Sequence, residues 1–336
     1  MKFSLIVCTY MRPEPLLKLL QSVQKQTLYP DEILIIDGSL NHETEEIFAQ
    51  QRFDKLRYYY VNQNNRGLTK QRNLGLANVS KESEVVCFVD DDTILEKNYF
   101  VEIIKTFSAD QKITGVGGIA INENKWKKTE PYKTYNWKRF YVFEGYVYPE
   151  GLRNVFRNYL HLQSDLQPGR MPEFSHGRTC SFPPNGKTYE VDLLIGMSFC
   201  FRKSVYERLN FSTYFEGYGL YEDADYSIRA LQYGKNVINT NAQLSHFHNA
   251  SGRPNQYQYG KMVVRNGWYV WRVKYPKPAA IAIVKWHLIT LLLALIRFGN
   301  TFTTSKRQEA FTEFVGRITG WVSLFLNIPK EHKKSS

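Results

Sequence analysis

Val85-Val86-Cys87-Phe88-Val89-Asp90-Asp91-Asp92-Thr93 is the stretch on which the reading of the fold turns. Its five apolar residues, β-branched at the start, have the pattern of a strand buried in an α/β sheet. Three consecutive carboxylates then close it. Adjacent like charges repel and raise one another's pKa, so such a cluster calls for a cation, strong hydrogen bonds or open solvent. Extended backbone alternates its side chains, so Asp90 and Asp92 are expected on one face and Asp91 on the other. This offers two oxygen ligands to Mg2+ or Mn2+ at the carboxyl end of a strand, where open α/β sheets take their ligands. The plainer reading is a solvated turn leading into a helix capped by Asp92 or Thr93, with Glu96 in its first turn.

The residues before this stretch supply the rest of a sheet. Residues 3–8 read as a first strand, ending at Thr9-Tyr10-Met11-Arg12-Pro13. Pro13 and Pro15 punctuate a helix whose apolar positions Leu16, Leu17, Leu19, Leu20 and Val23 have helical spacing. Ile33-Leu34-Ile35-Ile36 is a second strand closed by Asp37-Gly38-Ser39, followed by a polar helix from about residue 43 and an aromatic strand from Leu56 to Val61. Strand alternating with helix predicts a mostly parallel sheet. No Gly-x-Gly-x-x-Gly follows the first strand and no Gly-Lys-Ser/Thr occurs, which disfavours a dinucleotide site and a P-loop. Asn65 to Leu76 is a basic turn entering a helix, with cations and helix-start N–H groups suited to phosphate oxygens; a solvated helix face is the ordinary alternative.

The chain has 336 residues, 43% hydrophobic and 23% charged, enough for one large domain or two small ones. Its net charge of +12 and pI near 9.3 favour polyanions, anionic headgroups or phosphorylated small molecules. Zinc-finger spacing, an RNP-like aromatic motif and an arginine-rich arm are all lacking, so nucleic acid is not expected as a partner. Cys8, Cys87, Cys180 and Cys200 show no Cys-x-x-Cys spacing and read as free thiols in a reducing compartment. The N-terminal apolar run is too short for a signal peptide and reads better as a strand.

Residues 121–190 are the least regular part. They are rich in tyrosine, with Trp126, Trp137, the clusters Lys125–Lys128 and Lys138-Arg139, one helix suggested by Val155, Phe156, Tyr159, Leu160 and Leu162, and a turn at Pro183-Pro184-Asn185-Gly186. Order returns at Val191 to Arg202. Phe215-Glu216-Gly217-Tyr218-Gly219-Leu220-Tyr221 then leads into a helix opening on Glu222, Asp223 and Asp225, where acids also suit the helix dipole. A strand through Val237 and Ile238 runs to His246-Phe247-His248-Asn249-Ala250-Ser251-Gly252-Arg253. His-x-His on extended backbone puts both imidazoles on one face. Tyr257, Lys261, Arg265 and Asn266 open a basic helix, and Pro276 and Pro278 mark a boundary. Residues 279–298 are long enough to span a bilayer, but Lys285 and His287 interrupt them, so a helix lying in the headgroup plane fits better. A second amphipathic stretch, Phe311 to Leu326, ends at Pro329 and a basic tail, Lys330, Lys333 and Lys334; a helical pair packed on the domain or in an oligomer interface is the alternative.

Val7-Cys8-Thr9-Tyr10-Met11-Arg12, Ile36-Asp37-Gly38-Ser39, Asn65-Arg66-Gly67 with Gln71-Arg72-Asn73-Leu74-Gly75, and Phe88-Val89-Asp90-Asp91-Asp92 follow one another as in family 2 glycosyltransferases of the GT-A fold, which the chain resembles over roughly its first 275 residues. The resemblance implies an α/β fold with a mixed, mostly parallel sheet flanked by helices, as a catalytic domain at 1–278 (a nucleotide-binding half, 1–120, and an acceptor half, 121–278). A C-terminal helical membrane-associating segment at 279–336 would follow. It implies an inverting, metal-assisted transfer from a nucleoside-diphosphate sugar to a hydroxyl of a glycan or lipid-linked glycan, in cell-surface polysaccharide synthesis at the inner face of the cell membrane. Thr9, Tyr10, Arg12 and Asp37 become candidates for the nucleoside and Arg72 for the base or diphosphate. Asp90, Asp91 and Asp92 would serve ribose and a divalent Mn2+ or Mg2+, with Asp92 favoured as direct ligand. His246, preferred over His248, would be a further metal ligand, Asp223 the general base, and Glu222 and Asp225 its supports. Gly196 to Arg202 resembles the strand beside the donor sugar, and the helix from Tyr257 would close over the diphosphate. The rival expectations are a sugar nucleotidyltransferase and a non-catalytic basic protein of membranes or nucleic acid.

Overall fold

The structure is a computed structural model that describes residues 1–215, 217–248 and 254–329; Glu216, residues 249–253 and the basic tail from Lys330 lie outside the described residues. The strands are β1 (Phe3–Thr9), β2 (Glu32–Asp37), β3 (Leu56–Tyr60), β4 (Val85–Val89), β5 (Thr93–Leu95), β6 (Ile113–Ala120), β7 (Lys127–Lys128), β8 (Phe140–Phe143), β9 (Tyr146–Pro149), β10 (Thr188–Val191), β11 (Ser198–Arg202) and β12 (Lys235–His246). The helices are α1 (Pro13–Gln24), α2 (Glu43–Gln50), α3 (Leu68–Ala77), α4 (Tyr99–Ala109), α5 (Leu152–Tyr159), α6 (Lys203–Tyr206), α7 (Glu222–Ala230), α8 (Gln256–Lys274), α9 (Ala280–Thr303) and α10 (Arg307–Leu326).

Two compact units result, Met1–Asn124 with Cys180–Arg253, and Lys125–Thr179 with Pro254–Ser336. The expected division at residue 278 parts α8 from α10, whereas the compact units keep them together. The reason is steric. Gly316 lets α10 approach α8 so closely that a Cβ there would lie 2.1 Å from the Tyr257 carbonyl oxygen, and one on Gly260 would lie 2.3 Å from that of Glu313.

The first unit holds a nine-stranded sheet in the order β10-β12-β6-β11-β4-β1-β2-β3, with β5 paired to β12. The pairs β4-β1, β1-β2, β2-β3 and β6-β12 are parallel, while β11 runs antiparallel to both β4 and β6. Every residue of β2 and β4 is buried, as a parallel sheet covered on both faces requires. One core joins Leu5, Val7, Ile33, Ile35, Val85 and Cys87 to Leu16, Leu19, Leu20 and Val23 of α1 and to Tyr99, Phe100, Ile103 and Phe107 of α4. The apolar spacing of α1 therefore selects its buried face. α3 lies close over the other side, where a Cβ on Gly75 would meet the Ile6 side chain at 2.7 Å.

The strand after the aspartates sets up the site. No helix starts at Asp92 or Thr93: Thr93 is fully buried in β5, and the next helix opens at Tyr99. β5 pairs antiparallel with the end of β12, in the register His246 opposite Thr93. The Phe247 amide donates to the Asp92 carbonyl at 2.9 Å.

In the second unit β7, β9 and β8 form a small antiparallel sheet, and Trp126 packs on Tyr141, Phe143 and Tyr148. Trp271 of α8 stacks on Trp286 of α9 at 5.3 Å, within a cluster completed by Val264 and Leu324. Arg297 of α9 and Arg317 of α10 both pair with the buried Glu313.

Candidate active site

The site belongs to the first unit and lies where β1 and β4 end and β11 begins. Asp91 turns back toward β1: Thr9 Oγ1 donates to its Oδ2 at 2.7 Å and Arg12 Nη1 to its Oδ1 at 3.0 Å. Arg12 also reaches Asp92 Oδ2 at 3.3 Å. Asp90 and Asp92 instead share a group with His246, whose ligand atoms all lie within 4.8 Å of one another. Asp91 thus parts from Asp90 and Asp92, but a turn and not the pleat separates them: β4 ends at Val89, and the Thr93 amide donates to the Asp90 carbonyl at 3.2 Å. Burial raises the Asp91 carboxyl to about 7 against the opposing pull of Arg12 and the Thr9 hydrogen bond, and burial likewise raises Asp90.

Arg72 joins this cluster to the acids of α7. It is almost wholly buried, ion-paired to Glu222 through Nη1, with Nη2 3.5 Å from Asp90 Oδ1. Its guanidinium sits among Phe88, Phe199 and Phe211, at 5.8, 4.8 and 5.2 Å from their ring centroids. One cation therefore bridges carboxylates that are 132 positions apart in sequence, Asp90 and Glu222. Burial, partly offset by Arg72, pushes Glu222 up to about 8.

Asp223 is held by backbone. Its Oδ2 accepts from the Gly196 amide at 2.8 Å and its Oδ1 from the Ala224 amide at 2.7 Å. Burial moves it above the usual carboxylate range, and these two donors oppose the shift. Gly196 marks the meeting point: a Cβ there would lie 3.3 Å from Arg72 Nη2 and 3.5 Å from oxygens of both Asp223 and Glu222. Asp225 faces away, accepting from Arg229 at 2.6 Å.

His246 Nε2 lies 3.3 Å from Asp92 Oδ1, and its Nδ1 lies 3.4 Å from Glu123 Oε1. His248 Nε2 reaches the same Glu123 oxygen at 2.8 Å, and the two rings are 4.3 Å apart. Burial lowers the His246 pKa, but the Asp92 hydrogen bond and the Asp90 charge outweigh it and leave the imidazole raised. Two carboxylates and one imidazole are a donor set that fits a hard divalent cation, and Glu123 with both histidines forms a second group, of one carboxylate and two imidazoles. Glu123 was not singled out in the sequence. It stands just past β6, inside the stretch without regular pattern. The signal available was a carboxylate at a strand end, and Asn122 fixes it there by exchanging two hydrogen bonds with the His246 backbone.

The remaining candidates divide by exposure. Tyr10 is partly exposed beside Thr9 and Arg12. Asp37 is fully buried, with Oδ1 accepting from the Ser39 amide at 2.7 Å and Oδ2 from the Tyr58 hydroxyl at 2.8 Å. Arg66 of the basic turn donates to the carbonyls of Gly38 and Ser39, and Gln71 donates to those of Thr9 and Ile36. Much of that turn thus ties strand ends together.

Residues 4–164 match the family model described as Glycosyl transferase family 2. The match takes in a little under half of the chain and marks that stretch as a glycosyltransferase domain similar to family 2. Among curated family relatives, GlyA of Streptococcus pneumoniae, a glycosyltransferase, is 31% identical over 37% of this chain and 18% of its own length. TarS of Staphylococcus aureus, a poly(ribitol-phosphate) β-N-acetylglucosaminyltransferase, is 31% identical over 39% of this chain and 24% of its own length. YwdF of Bacillus subtilis, an uncharacterized glycosyltransferase, is 27% identical over 48% and 60%. The chain thus spans between about a fifth and three fifths of these relatives. Among solved structures, the mannosyltransferase PcManGT of Pyrobaculum calidifontis with GDP-Man and Mn2+ aligns over 96% of this chain and 87% of its own, at 13% identity and TM-score 0.53. GalNAc-T7 with UDP, GalNAc and Mn2+ aligns over 81% and 49%, at 15% identity and TM-score 0.53. These likenesses are of fold: the family 2 domain has the GT-A architecture that the sequence resemblance implied.

Proposed function

We propose that the protein transfers a glycosyl group from a nucleoside-diphosphate sugar to a hydroxyl of a glycan or lipid-linked glycan, by single displacement with inversion. The observation that carries this is the Arg72 bridge, which puts the aspartate triplet and the Glu222-Asp223 pair in one site. PcManGT and GalNAc-T7 are named with nucleotides and Mn2+, which supports the same chemistry here.

Asp90, Asp92 and His246 would hold Mn2+ or Mg2+, with His248 and Glu123 beside them. The bound ion would act as a Lewis acid toward the departing diphosphate. Asp223 is the general base: its two backbone hydrogen bonds leave it acceptor capacity for a hydroxyl proton and fix its direction. Arg72, bonded to Glu222, lies beside Asp223 at Gly196 and helps position it. Thr9 and Arg12 orient Asp91, and Tyr10 and Arg12 border the nucleoside; Asp37 acts through the backbone it bonds.

α9 is long and apolar enough to cross a membrane, at mean hydropathy 1.9 over its most apolar window. We place it on the surface of the bilayer at the inner face of the cell membrane. Its inner side packs through Trp286 and pairs Arg297 with Glu313, while Ile281, Leu288, Leu295 and Phe302, spaced by sevens, are exposed along one side. Product analysis tests the chemistry. Nucleoside diphosphate released with a sugar nucleotide and acceptor supports transfer, pyrophosphate supports a nucleotidyltransferase, and neither supports a non-catalytic binder.

A further inference from the structure

Helix α5 is built inside out. Its buried residues are the polar Asn154, Arg157 and Asn158, while Leu152, Phe156, Tyr159 and the following Leu160 are exposed by 65%, 46%, 47% and 54%. The orientation is enforced from within the second unit. Asn154 donates to Glu150 Oε2 at 2.7 Å, and Asn158 donates to the carbonyls of Trp137 and Lys138 at 3.3 and 3.1 Å. Arg157 bonds the carbonyls of Leu162 and His176, and His176 in turn meets Thr290 of α9 at 3.3 Å. Rolling α5 over would bury four apolar side chains but strand three polar ones, so the helix keeps its apolar side outward. Trp137 is also exposed, and Lys138 Nζ lies 4.3 Å over the Tyr159 ring centroid and 5.6 Å over that of Trp137.

We infer that this face of α5, with Trp137 and Lys138 at its rim, is a second membrane-docking surface that sinks into the headgroup region of an anionic bilayer. The inference rests on the membrane reading of α9 and extends it to a part of the chain more than a hundred residues upstream. Three observations select this occupant. The second unit carries 23 Lys and Arg against 8 Asp and Glu, net +15, whereas the first carries 21 against 24, net −3. All the positive excess of the chain therefore sits in the unit that carries this face, a charge that attracts anionic lipid and repels a second copy of the same unit. Second, α5 packs beside α9, whose outer side is apolar too. Third, apolar residues bordered by Trp, Tyr and a Lys with an extended stem are the composition of the membrane interface, where amphipathic rings and snorkelling cations are favoured.

The test is co-sedimentation of the full chain with phosphatidylcholine vesicles, with and without phosphatidylglycerol. Three proteins are compared: the wild type, a Leu152→Ser, Phe156→Ser, Leu160→Ser triple variant, and a Leu288→Glu, Leu295→Glu pair on α9. The wild type should bind the phosphatidylglycerol vesicles, and the α5 variant should bind them about tenfold or more weaker, the loss expected for removing apolar side chains from lipid. Its melting temperature and its turnover of a soluble acceptor should stay at wild-type values. A Lys138→Glu variant, which keeps the apolar face, should lose binding a few-fold on anionic vesicles alone. Wild-type binding by the α5 variant, with loss in the α9 pair, would overturn the inference and leave the membrane reading standing. No binding by the wild type would overturn both. A dimer that the α5 variant makes monomeric would assign the face to a second copy, and lost turnover with unchanged vesicle binding would assign it to the acceptor; either result overturns the proposal.

Discussion

The two units handle charge in opposite ways. In the first, carboxylates drawn from two distant places, Asp90 to Asp92 and Glu222, converge and are held by Arg12 and Arg72; the unit as a whole is slightly acidic. In the second, cations predominate and the apolar sides of α5 and α9 face outward. Burying like charges is costly and is tolerated where a cation is to be bound, so the first arrangement belongs to chemistry. Exposing apolar surface is costly unless something covers it, and our proposal is that a membrane covers the second. Net charge of the whole chain, +12, conceals this division.

If the division holds, changes in one unit should leave the work of the other alone. The largest effect is expected from Asp223→Asn, which should lower kcat by about 10²–10⁴-fold while donor affinity, read by calorimetry, and vesicle binding stay put. A kcat within threefold of wild type would remove Asp223 from its role. Next comes the metal group. His246→Ala should weaken Mn2+ binding, read by the ion's paramagnetic resonance, by about tenfold or more, and Glu123→Gln by less, since Glu123 touches the histidines rather than the aspartates. Equal losses in both would move the ion to the histidine side of the site.

The smallest effect concerns pH. Glu222 is raised from an ordinary 4.5 to about 8 in the folded protein, chiefly by burial. Between those values the folded state holds a proton that the unfolded state has released, so stability should fall as pH rises from 4.5 toward 8. Glu222→Gln should flatten that part of the melting-temperature profile in metal-free protein, and an unchanged slope would show that Glu222 is ionised throughout. The raised pKa of Asp223 acts on rate instead: the base works only when ionised, so activity should decline with falling pH at a point above the usual carboxylate range.

What the sequence disclosed followed from local pattern. The strands and α1 needed only periodicity, whereas the directions of Asp90 and Asp92 come from a turn closed by the Thr93 amide on the Asp90 carbonyl. What it withheld was set by pairing across the chain. The reading of Thr93 as a helix cap failed because β12 supplies a strand partner 153 residues later, and that same pairing is what delivers His246 to Asp92. Glu123 was hidden because its neighbours have no period. α5 was legible as a helix, but its inversion was not, because the carbonyls that satisfy Arg157 and Asn158 come from loops.

The central claim is that Asp90, Asp92 and His246 hold a divalent ion to which the donor's diphosphate binds. Calorimetric titration of nucleoside diphosphates into the wild-type protein and Asp92→Ala, each with Mn2+ and with chelator, tests it most directly. The account predicts binding by the wild type that needs Mn2+ and is at least tenfold weaker in Asp92→Ala. Equal wild-type affinity in Mn2+ and in chelator would contradict it.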